Sequence, residues 1–361
     1  MAEAHAPLDA AQAADAAFAR AKEKPFPTAE VFTAPELKWA VIGCGVIANQ
    51  MAESLALAGR TIHGVANRTR AKAEAFAERY GVERVYDSCE ELYQDPEVDA
   101  IYITTPHNTH IHYLRDALAA GKHVLCEKAI TLNSAELDEA RAIAEANGVQ
   151  LMDATTIWHM PLYHQLVTRA NAGEFGPLNL VQASFGSYKE YGDLTNRFYN
   201  PKLAGGAMLD IGVYALTFAR TFMSSNPTEL VSLGNLASTG VDEAGGIVAR
   251  NAQQQLAVVS LSLHSKQPKR AVASFDKCYI QVDSYPRADT ATIVWTADGR
   301  QETVRCGEEA YALCYEIADL ERAVAGDETC RAITSKAADV MDLMTALRAS
   351  WGVVYPEERQ A

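Results

Sequence analysis

The sequence lacks any run of about 18 apolar residues, so no segment of it is predicted to cross a bilayer as a helix. Its N-terminus also lacks a basic segment followed by an apolar one, which argues against a secretory signal. The seven cysteines are scattered and form no CxxC pair, a pattern typical of reduced thiols in the cytoplasm. Basic residues number only 32 against 46 acidic ones, and the net charge of −14 argues against nucleic acid and membranes as partners. We therefore expect a cytoplasmic protein that binds a small molecule.

A chain of 361 residues, 48% of them hydrophobic, is longer than one core usually organises, so two domains are expected. Residues 1–36 are interpreted as an N-terminal extension, with a loose Ala-rich helix over 8–22 that ends before the PFP at 25–27. Residues 37–158 are expected to form a dinucleotide-binding domain. Residues 159–361 are expected to form a domain for substrate binding and oligomerisation.

The overall fold class predicted by the hydrophobic pattern is α/β. Apolar strands alternate with helices up to about residue 158, which predicts a Rossmann domain, a doubly wound parallel sheet with helices on both faces. Strand-like stretches with short connections dominate beyond it, so the second domain is predicted to be α+β with a large, mostly antiparallel, open-faced sheet. Helices are expected over 47–59, 70–81, 111–121, 134–148, 161–172, 207–223, 308–325 and 335–352.

A glycine-rich turn follows the first predicted strand. Residues 43–48 read GCGVIA, the GxGxxA pattern that lets a pyrophosphate approach the backbone at a helix N-terminus. The alternative is a glycine turn that binds nothing, but strand, turn and helix occur here in the expected order. The residues expected to contact the cofactor at this turn are Gly43, Gly45, Val46, Ile47 and Ala48.

The end of the second predicted strand indicates which cofactor binds. An acidic residue is expected there in NAD-binding domains, but the sequence has Asn67 followed by Arg68. Asn67 would not repel a 2′-phosphate, and Arg68 can pair with it and stack on adenine. We therefore favour NADP(H) over NAD(H). The alternative is that Arg68 and Arg70 are solvated residues at the start of the next helix.

Polar residues cluster where ligands of doubly wound sheets bind, at the carboxyl ends of strands. Two such segments are ITTPHNTH at 103–110 and LCEK at 125–128, and the second domain adds LAGGAMLDIGVY at 203–214. Asp210 and Tyr214 in the last segment are four residues apart and should share one helix face. Three histidines at 107, 110 and 112 have no accompanying cysteine or acidic cluster, so no metal site is expected.

Taken in order, these motifs resemble the Gfo/Idh/MocA oxidoreductase superfamily. The resemblance covers residues 38–357 and rests on the GxGxIA turn, the TPxxxH segment, the CEK strand end, the GGxxLDxGxY helix and the final LRASWGVVYPEE. Tyr214 stands where many members have His, as in the branch that contains glucose–fructose oxidoreductase and dimeric dihydrodiol dehydrogenases. That branch tends to use NADP.

The resemblance implies roles for several residues. Lys128 matches the catalytic lysine, Tyr214 the aromatic acid/base and Asp210 the acid one turn before it. One departure is Ala129, which replaces the proline of the family's EKP motif, so the peptide after Lys128 could be trans or cis. The residues implied to line the nicotinamide are Thr104, Thr105, Pro106, His107, His110, Glu127 and Lys128.

Simpler interpretations remain open for the same residues. Glu127 and Lys128 could form a solvated ion pair at a strand end, Asp210 could only complement a helix N-terminus, and Tyr214 could be a core residue.

The residues expected at the substrate are Trp158, His159, Tyr188, Arg197, Asp210 and Tyr214. Aromatic faces suit sugar or cyclic diol rings, and Arg197 could bind a hydroxyl or an acid. Core packing and surface charge are the alternative for the first four.

These residues predict an NADP(H)-dependent oxidoreductase that moves a hydride to or from a carbohydrate, polyol or related cyclic hydroxy or keto substrate. Two alternatives are a non-catalytic NADP(H)-binding redox sensor and an enzyme that cleaves glycosides with the help of NAD(P). The predicted sheet of the second domain has few helices to cover it, so one face would stay bare in a monomer. We therefore expect a homodimer or homotetramer joined through that sheet.

Overall fold

The computed structural model describes residues 26–359, and two β-sheets organise this part of the chain. The helix predicted over 8–22 lies outside the described residues. All seven cysteines lie inside them and are unpaired. Within residues 26–359 no helix combines the length and apolarity needed to cross a membrane.

The first sheet has six parallel strands. They are β1 (Trp39–Ile42), β2 (Gly64–Ala66), β3 (Arg84–Val85), β4 (Ala100–Ile103), β5 (His123–Cys126) and β6 (Leu151–Asp153). Their spatial order is β3-β2-β1-β4-β5-β6, so the chain reverses direction across the sheet between β1 and β4. This confirms the predicted doubly wound sheet, in which ligands bind at the carboxyl ends of the strands beside that reversal.

One short helix precedes this sheet in the described part of the chain, and five helices connect its strands. They are α1 (Thr28–Val31), α2 (Val46–Leu57), α3 (Arg70–Tyr80), α4 (Cys89–Gln94), α5 (His110–Ala119) and α6 (Ser134–Asn147). Asn133 caps α6, because its side chain accepts from the backbone N–H of Glu136. The pattern did not predict β3 or α4, because both are short and rich in charged residues.

The second sheet has eight strands. They are β7 (Leu178–Gly186), β8 (Glu229–Leu236), β9 (Asp242–Arg250), β10 (Leu256–Ser262), β11 (Gln267–Phe275), β12 (Cys278–Asp283), β13 (Thr290–Trp295) and β14 (Gln301–Arg305). Their order is β14-β13-β12-β11-β7-β10-β9-β8, and every neighbouring pair is antiparallel except β7 with β10. The predicted, mostly antiparallel sheet is confirmed.

Four further helices accompany the second sheet: α7 (Pro161–Asn171), α8 (Val213–Phe222), α9 (Ala312–Val324) and α10 (Glu328–Trp351). One face of the sheet packs on α8, and α10 packs on α8 in turn. The Trp351 ring of α10 lies so close to Gly234 that a Cβ there would be 2.4 Å from it, so glycine admits the ring.

The helix α9 of the second half packs against the first sheet's domain. Glu321 of α9 is buried, and its carboxylate accepts from both terminal nitrogens of Arg60, at 2.6 and 3.1 Å, and from the indole N–H of Trp39 at 3.0 Å. Asp319, also buried, pairs with His159 at 2.8 Å. The contacts of Glu321 join α9 to β1 and to the segment between α2 and β2.

Candidate active site

The glycine turn lies at the carboxyl end of β1. Gly43 has φ of +102°, and a Cβ there would lie 2.7 Å from the Thr104 hydroxyl, so the position requires glycine. Gly45 precedes α2, which has neither a capping side chain nor an acidic residue in its first turn. A Cβ on Gly45 would meet nothing within 4 Å. The space beside Gly45, at the N-terminus of α2, is therefore open, as a pyrophosphate would require.

The next three residues of the turn differ in exposure. Val46 is 73% exposed, Ile47 is half-buried and Ala48 is fully buried. Ala48 thus packs α2 against the sheet. Val46 is an exposed apolar residue directly after Gly45.

The residues after β2 match the requirements of a ribose-phosphate site. The Asn67 amide donates to the backbone O of Thr69 at 2.9 Å, which shapes the loop. Arg68 is exposed and forms no ion pair with any residue in 26–359. Arg70, in contrast, pairs with Glu74 and Asp87. Only one of the two arginines is therefore unengaged and available for a phosphate.

Hydrogen bonds of one histidine connect the segment after β4 to the segment after β5. His110 is buried, with Nε2 at 2.8 Å from the Thr105 carbonyl and Nδ1 at 3.0 Å from the Ala129 carbonyl. His110 therefore joins the two loops. Pro106 between them is exposed, and Thr104 donates back to the Ile42 carbonyl at 3.1 Å.

His107 lies deeper than its neighbours. Burial, followed by the positive charge of Lys128, lowers the pKa of His107 to about 3, so the imidazole is neutral near pH 7. Neither His107 nor His110 faces an acidic cluster suited to a metal. The described residues contain one close group of potential ligands, His63 with Asp95 and Glu97, but Arg84 already pairs with both carboxylates.

Lys128 follows β5 and reaches across to the second half of the chain. The Lys128–Ala129 peptide bond is cis. The ammonium donates to the Asp210 carbonyl at 2.7 Å, lies 3.4 Å from the Asp210 carboxylate, and lies 5.0 Å from the ring centroid of Tyr214. Burial alone would lower the pKa of Lys128, but Tyr214 and Asp210 outweigh it and raise that pKa. Lys128 is thus held as a cation.

Asp210 lies in a single π-helical turn, Met208–Gly212, that leads into α8. Such turns occur frequently at functional sites because they rotate a side chain out of the helical register. Arg197 donates to the Asp210 carboxylate at 3.1 Å, on the same oxygen that faces Lys128. Burial would raise the pKa of Asp210, but Lys128 and Arg197 lower it to about 2, so Asp210 is an anion.

Tyr214 completes this cluster. It is half-buried, its ring centroid lies 6.0 Å from that of Phe185, and its hydroxyl has no hydrogen-bond partner in residues 26–359. Burial raises the pKa of Tyr214, so the phenol is protonated near neutral pH. Its proton and lone pairs are free to meet a substrate oxygen.

Glu127 points the other way, into the protein beneath Lys128. Its carboxylate accepts from the hydroxyl of Tyr102, which is fully buried on β4. Burial raises the pKa of Glu127, and the nearby Glu316 of α9 is buried with neither carboxyl oxygen hydrogen-bonded in the described part of the chain. Glu127 is therefore part of a buried polar layer beneath Lys128 and does not form a solvated ion pair with Lys128.

Of the remaining residues expected at the substrate, one lies in the Lys128 cluster, and no hydrogen bond within residues 26–359 joins the others to it. Arg197 joins the Lys128 cluster, and Tyr188, 53% exposed, lies on the same segment between β7 and α8. His159 is not brought to the cluster as a free side chain, because both ring nitrogens are engaged, with Asp319 and with the Asp153 carbonyl at 2.8 Å each. Trp158 is buried beside the short helix at 285–287.

The two glycines before Asp210 give space to neighbouring parts of the protein. A Cβ on Gly205 would lie 2.6 Å from the Arg197 carbonyl, and one on Gly206 would lie 2.4 Å from the Asp242 carboxylate. Gly205 lets the segment that carries Arg197 approach Asp210, and Gly206 makes room for the buried carboxylate of Asp242.

Two models of known families match the chain. The model described as an oxidoreductase family with an NAD-binding Rossmann fold matches residues 37–155, and the GFO/IDH/MocA C-terminal domain matches residues 163–282. The trans-1,2-dihydrobenzene-1,2-diol dehydrogenase of Xenopus laevis is 32% identical over 263 residues, which are 71% of this chain and 78% of that protein. The chain belongs to the GFO/IDH/MocA oxidoreductase family.

Solved structures of this oxidoreductase family agree with the fold. A 3-ketoreductase from Actinomadura kijaniata, in complex with NADP and TDP-benzene, is 25% identical with a TM-score of 0.75, covering 87% of this chain and 98% of that one. An aldose–aldose oxidoreductase from Caulobacter crescentus has a TM-score of 0.78 at 19% identity, covering 88% of this chain and 98% of that one, and shows the fold alone. The resemblance inferred from the motifs is thus confirmed.

Proposed function

We propose that this oxidoreductase uses NADP(H) to interconvert a hydroxyl and a carbonyl group on a carbohydrate, polyol or related cyclic substrate, with Lys128 and Tyr214 handling the proton. The observation that carries the proposal is the meeting of Lys128 with Asp210 and Tyr214. Lys128 follows a strand of the first sheet, whereas Asp210 and Tyr214 lie in the π-helical turn and in α8 beside the second sheet. They meet at the carboxyl end of β5, two strands from the glycine turn. This is where a doubly wound sheet presents a dinucleotide to its substrate.

The glycine turn and the loop after β2 fit NADP(H). Gly45 leaves room for a pyrophosphate at the N-terminus of α2, Gly43 lets the turn pack closely against Thr104, and the unpaired Arg68 suits a 2′-phosphate. The bound cofactor would supply the hydride chemistry, while this chain binds, orients and manages the proton. The 3-ketoreductase from Actinomadura kijaniata was solved with NADP, which supports the same choice here.

The proton chemistry follows from the charges at the site. Tyr214 holds its proton on a hydroxyl with no other hydrogen bond in residues 26–359, so it can donate that proton to a carbonyl oxygen of the substrate. Lys128 stabilises negative charge on the same oxygen, and Asp210 keeps Lys128 charged and in place. In the free protein Tyr214 therefore carries the proton, and Lys128 the positive charge, that carbonyl reduction requires.

The proposal is tested with purified protein against sugars, inosose-like ketones and diols, with each cofactor in turn, by nicotinamide absorbance. We expect turnover of at least one hydroxy or keto substrate, and tighter binding of NADPH than of NADH. Tight NADPH binding with no turnover of any class would instead favour the non-catalytic sensor.

Assembly through the second sheet is also proposed. On its outer face, Val231, Val248 and Val258 pair side by side across β8, β9 and β10, with 74%, 44% and 37% of their surfaces exposed, and Leu233 is 83% exposed. A contiguous apolar band of this kind is typical of a subunit interface. We expect a homodimer or homotetramer.

A further inference from the structure

The cleft that contains Tyr214 holds two lysines beyond the proposed catalytic one. Lys269 lies on β11, and its ammonium is 4.8 Å from the ring centroid of Phe185, the same ring that neighbours Tyr214. Lys189 follows β7, where its backbone N–H donates to the Leu263 carbonyl at 2.8 Å and its ammonium lies 4.1 Å from the ring centroid of Phe198. Both lysines are partly buried; Lys269 lies within the second sheet, and Lys189 lies three residues beyond the end of β7.

Burial and neighbouring charges act on both lysines. Beyond burial, the charges of Asp210, Arg197 and Lys128 act on the pKa of Lys189, and those of Lys189 and Asp210 act on the pKa of Lys269. Burial, with Arg197 and Lys128 acting the same way and Asp210 opposing, lowers the pKa of Lys189. Burial and then Lys189 lower the pKa of Lys269, while Asp210 and Glu309 act in the opposite direction. Such effects act between charges that lie close together in a poorly solvated space.

Positive charge in this space exceeds negative charge. Lys128 and Arg197 both point at one oxygen of Asp210, at 3.4 and 3.1 Å. The ammonium groups of Lys189 and Lys269 form no hydrogen bond or ion pair within residues 26–359, and their close partners are aromatic faces. Packing alone does not explain two partly buried, mutually repelling ammonium groups in a chain whose net charge is −14. A bound anion would turn this repulsion into attraction.

We infer that the substrate is an acidic carbohydrate, whose carboxylate or phosphate group binds between Lys189 and Lys269 while its reacting carbon lies at Tyr214. The inference rests on the proposed function and narrows its substrate class. Phe198, which is only partly buried, fits this assignment, because an aromatic ring beside the ammonium groups can cover the apolar face of a sugar ring while they hold its acid group. Arg197, 59% exposed at its side chain, lies where it would attract an anion into the cleft.

The test compares matched substrates that differ only in charge: a neutral aldose, the corresponding uronate and its 6-phosphate, assayed with NADPH or NADP. For the unmodified enzyme we expect a higher kcat/KM for one of the acidic members than for the neutral sugar, by about tenfold or more, as expected for one charge-assisted contact. Whether uronate or 6-phosphate is preferred identifies the acid group. A neutral sugar that is turned over as well as both acidic members would overturn the inference while leaving the proposed function intact.

Variants of the two lysines test whether these residues cause the preference for an acidic substrate. Lys269→Met and Lys189→Met should each reduce the acidic-to-neutral ratio of kcat/KM by about tenfold, mainly through KM, and Lys269→Arg should restore part of it. Lys277→Met is the matched control, because Lys277 is exposed in the turn after β11 and should leave the ratio unchanged. An unchanged ratio in both cleft variants would refute the assignment.

Binding separates this inference from the reaction itself. If no sugar is turned over, the melting temperature of the NADPH-bound protein is measured with gluconate, glucose 6-phosphate and glucose. Stabilisation by an acidic compound that is lost in Lys269→Met supports the anion site even where the proposed function fails. Equal responses to all three compounds contradict the anion site.

Discussion

Lys128→Met separates catalysis from structure at the proposed site. Methionine keeps most of the stem volume but removes the ammonium that lies 2.7 Å from the Asp210 carbonyl. If Lys128 acts with Tyr214 on the proton, kcat should fall by about 10²-fold or more, equivalent to ~2.7 kcal/mol of transition-state stabilisation. NADP(H) binding should persist, because the glycine turn and Arg68 are untouched.

The same substitution should change stability only modestly. It removes a charge-assisted hydrogen bond worth ~1.5–3 kcal/mol, but it also relieves the burial of a charge whose side chain is only 14% exposed. Asp210 keeps its contact with Arg197 at 3.1 Å, so its carboxylate is not left unpaired. We expect a change of about 2 kcal/mol or less in the free energy of unfolding.

Lys122→Met is the matched control. Lys122 is equally a buried lysine, and its ammonium donates to the Asp95 and Val98 carbonyls at 2.6 and 2.8 Å, at the opposite end of the same sheet. Its loss leaves two buried carbonyls without that donor, so melting temperature should fall while kcat per folded molecule is retained.

The assay measures kcat and melting temperature on the same preparations of both variants. Tyr214→Phe should also lose activity, and the double variant with Lys128→Met should lose much less than the product of the two effects, because the residues act as one unit. A Lys128→Met protein with a lowered melting temperature and intact kcat would refute the reasoning, and Lys128 would then be a structural residue like Lys122.

Three further predictions concern the cofactor, the assembly and the buried acid. Arg68→Ala should weaken NADPH binding more than NADH binding, whereas Arg70→Ala, which breaks existing ion pairs, should affect both cofactors alike in a direct titration. Leu233→Lys should lower the oligomer mass in light scattering, since it places charge on the exposed apolar band; a monomeric unmodified protein at micromolar concentration would contradict the interface. Burial holds the pKa of Glu316 well above its usual value, so the folded state keeps a proton that the unfolded state loses above about pH 4.3, and stability falls as pH rises through this window. Glu316→Gln should therefore raise the melting temperature at pH 8 and leave it nearly unchanged at pH 4.

The first sheet was predictable because its signals are local. Apolar strands, the glycine turn and helices that end at glycine can each be recognised within about 15 residues. The same pattern missed β11, whose residues 267–275 begin with Gln-Pro-Lys-Arg. Its polar start lies in the cleft and at the outer face, and only its later residues alternate as a half-buried strand does. Lys269 was overlooked with it, so the excess of positive charge in the cleft could not be found from the sequence.

The buried polar layer of Tyr102, Glu127 and Glu316 beneath Lys128 could not be predicted from the sequence, for a different reason. Tyr102 lies in a strand that is otherwise apolar, and nothing local indicates that its hydroxyl meets Glu127. Glu316 is more than 180 residues away from Glu127 in the chain and appears in the sequence as one charged residue of an ordinary amphipathic helix. The contacts of such residues depend on how the two sheets are placed, which periodicity does not encode. The same holds for His159, whose two partners became known only from the fold.

The relative placement of the two sheets is what makes the site possible. Lys128 comes from the first sheet's domain and Asp210 from the second, yet a 2.7 Å contact joins them, so the two halves must be fixed to within a few tenths of an ångström. The 187–203 segment is too exposed to do this alone. The buried carboxylate of Glu321 on α9, held by Arg60 and Trp39, supplies a rigid connection away from the cleft. A buried ion pair adds little net stability but has few alternative geometries, so its value here is in setting the position of Lys128 against Asp210.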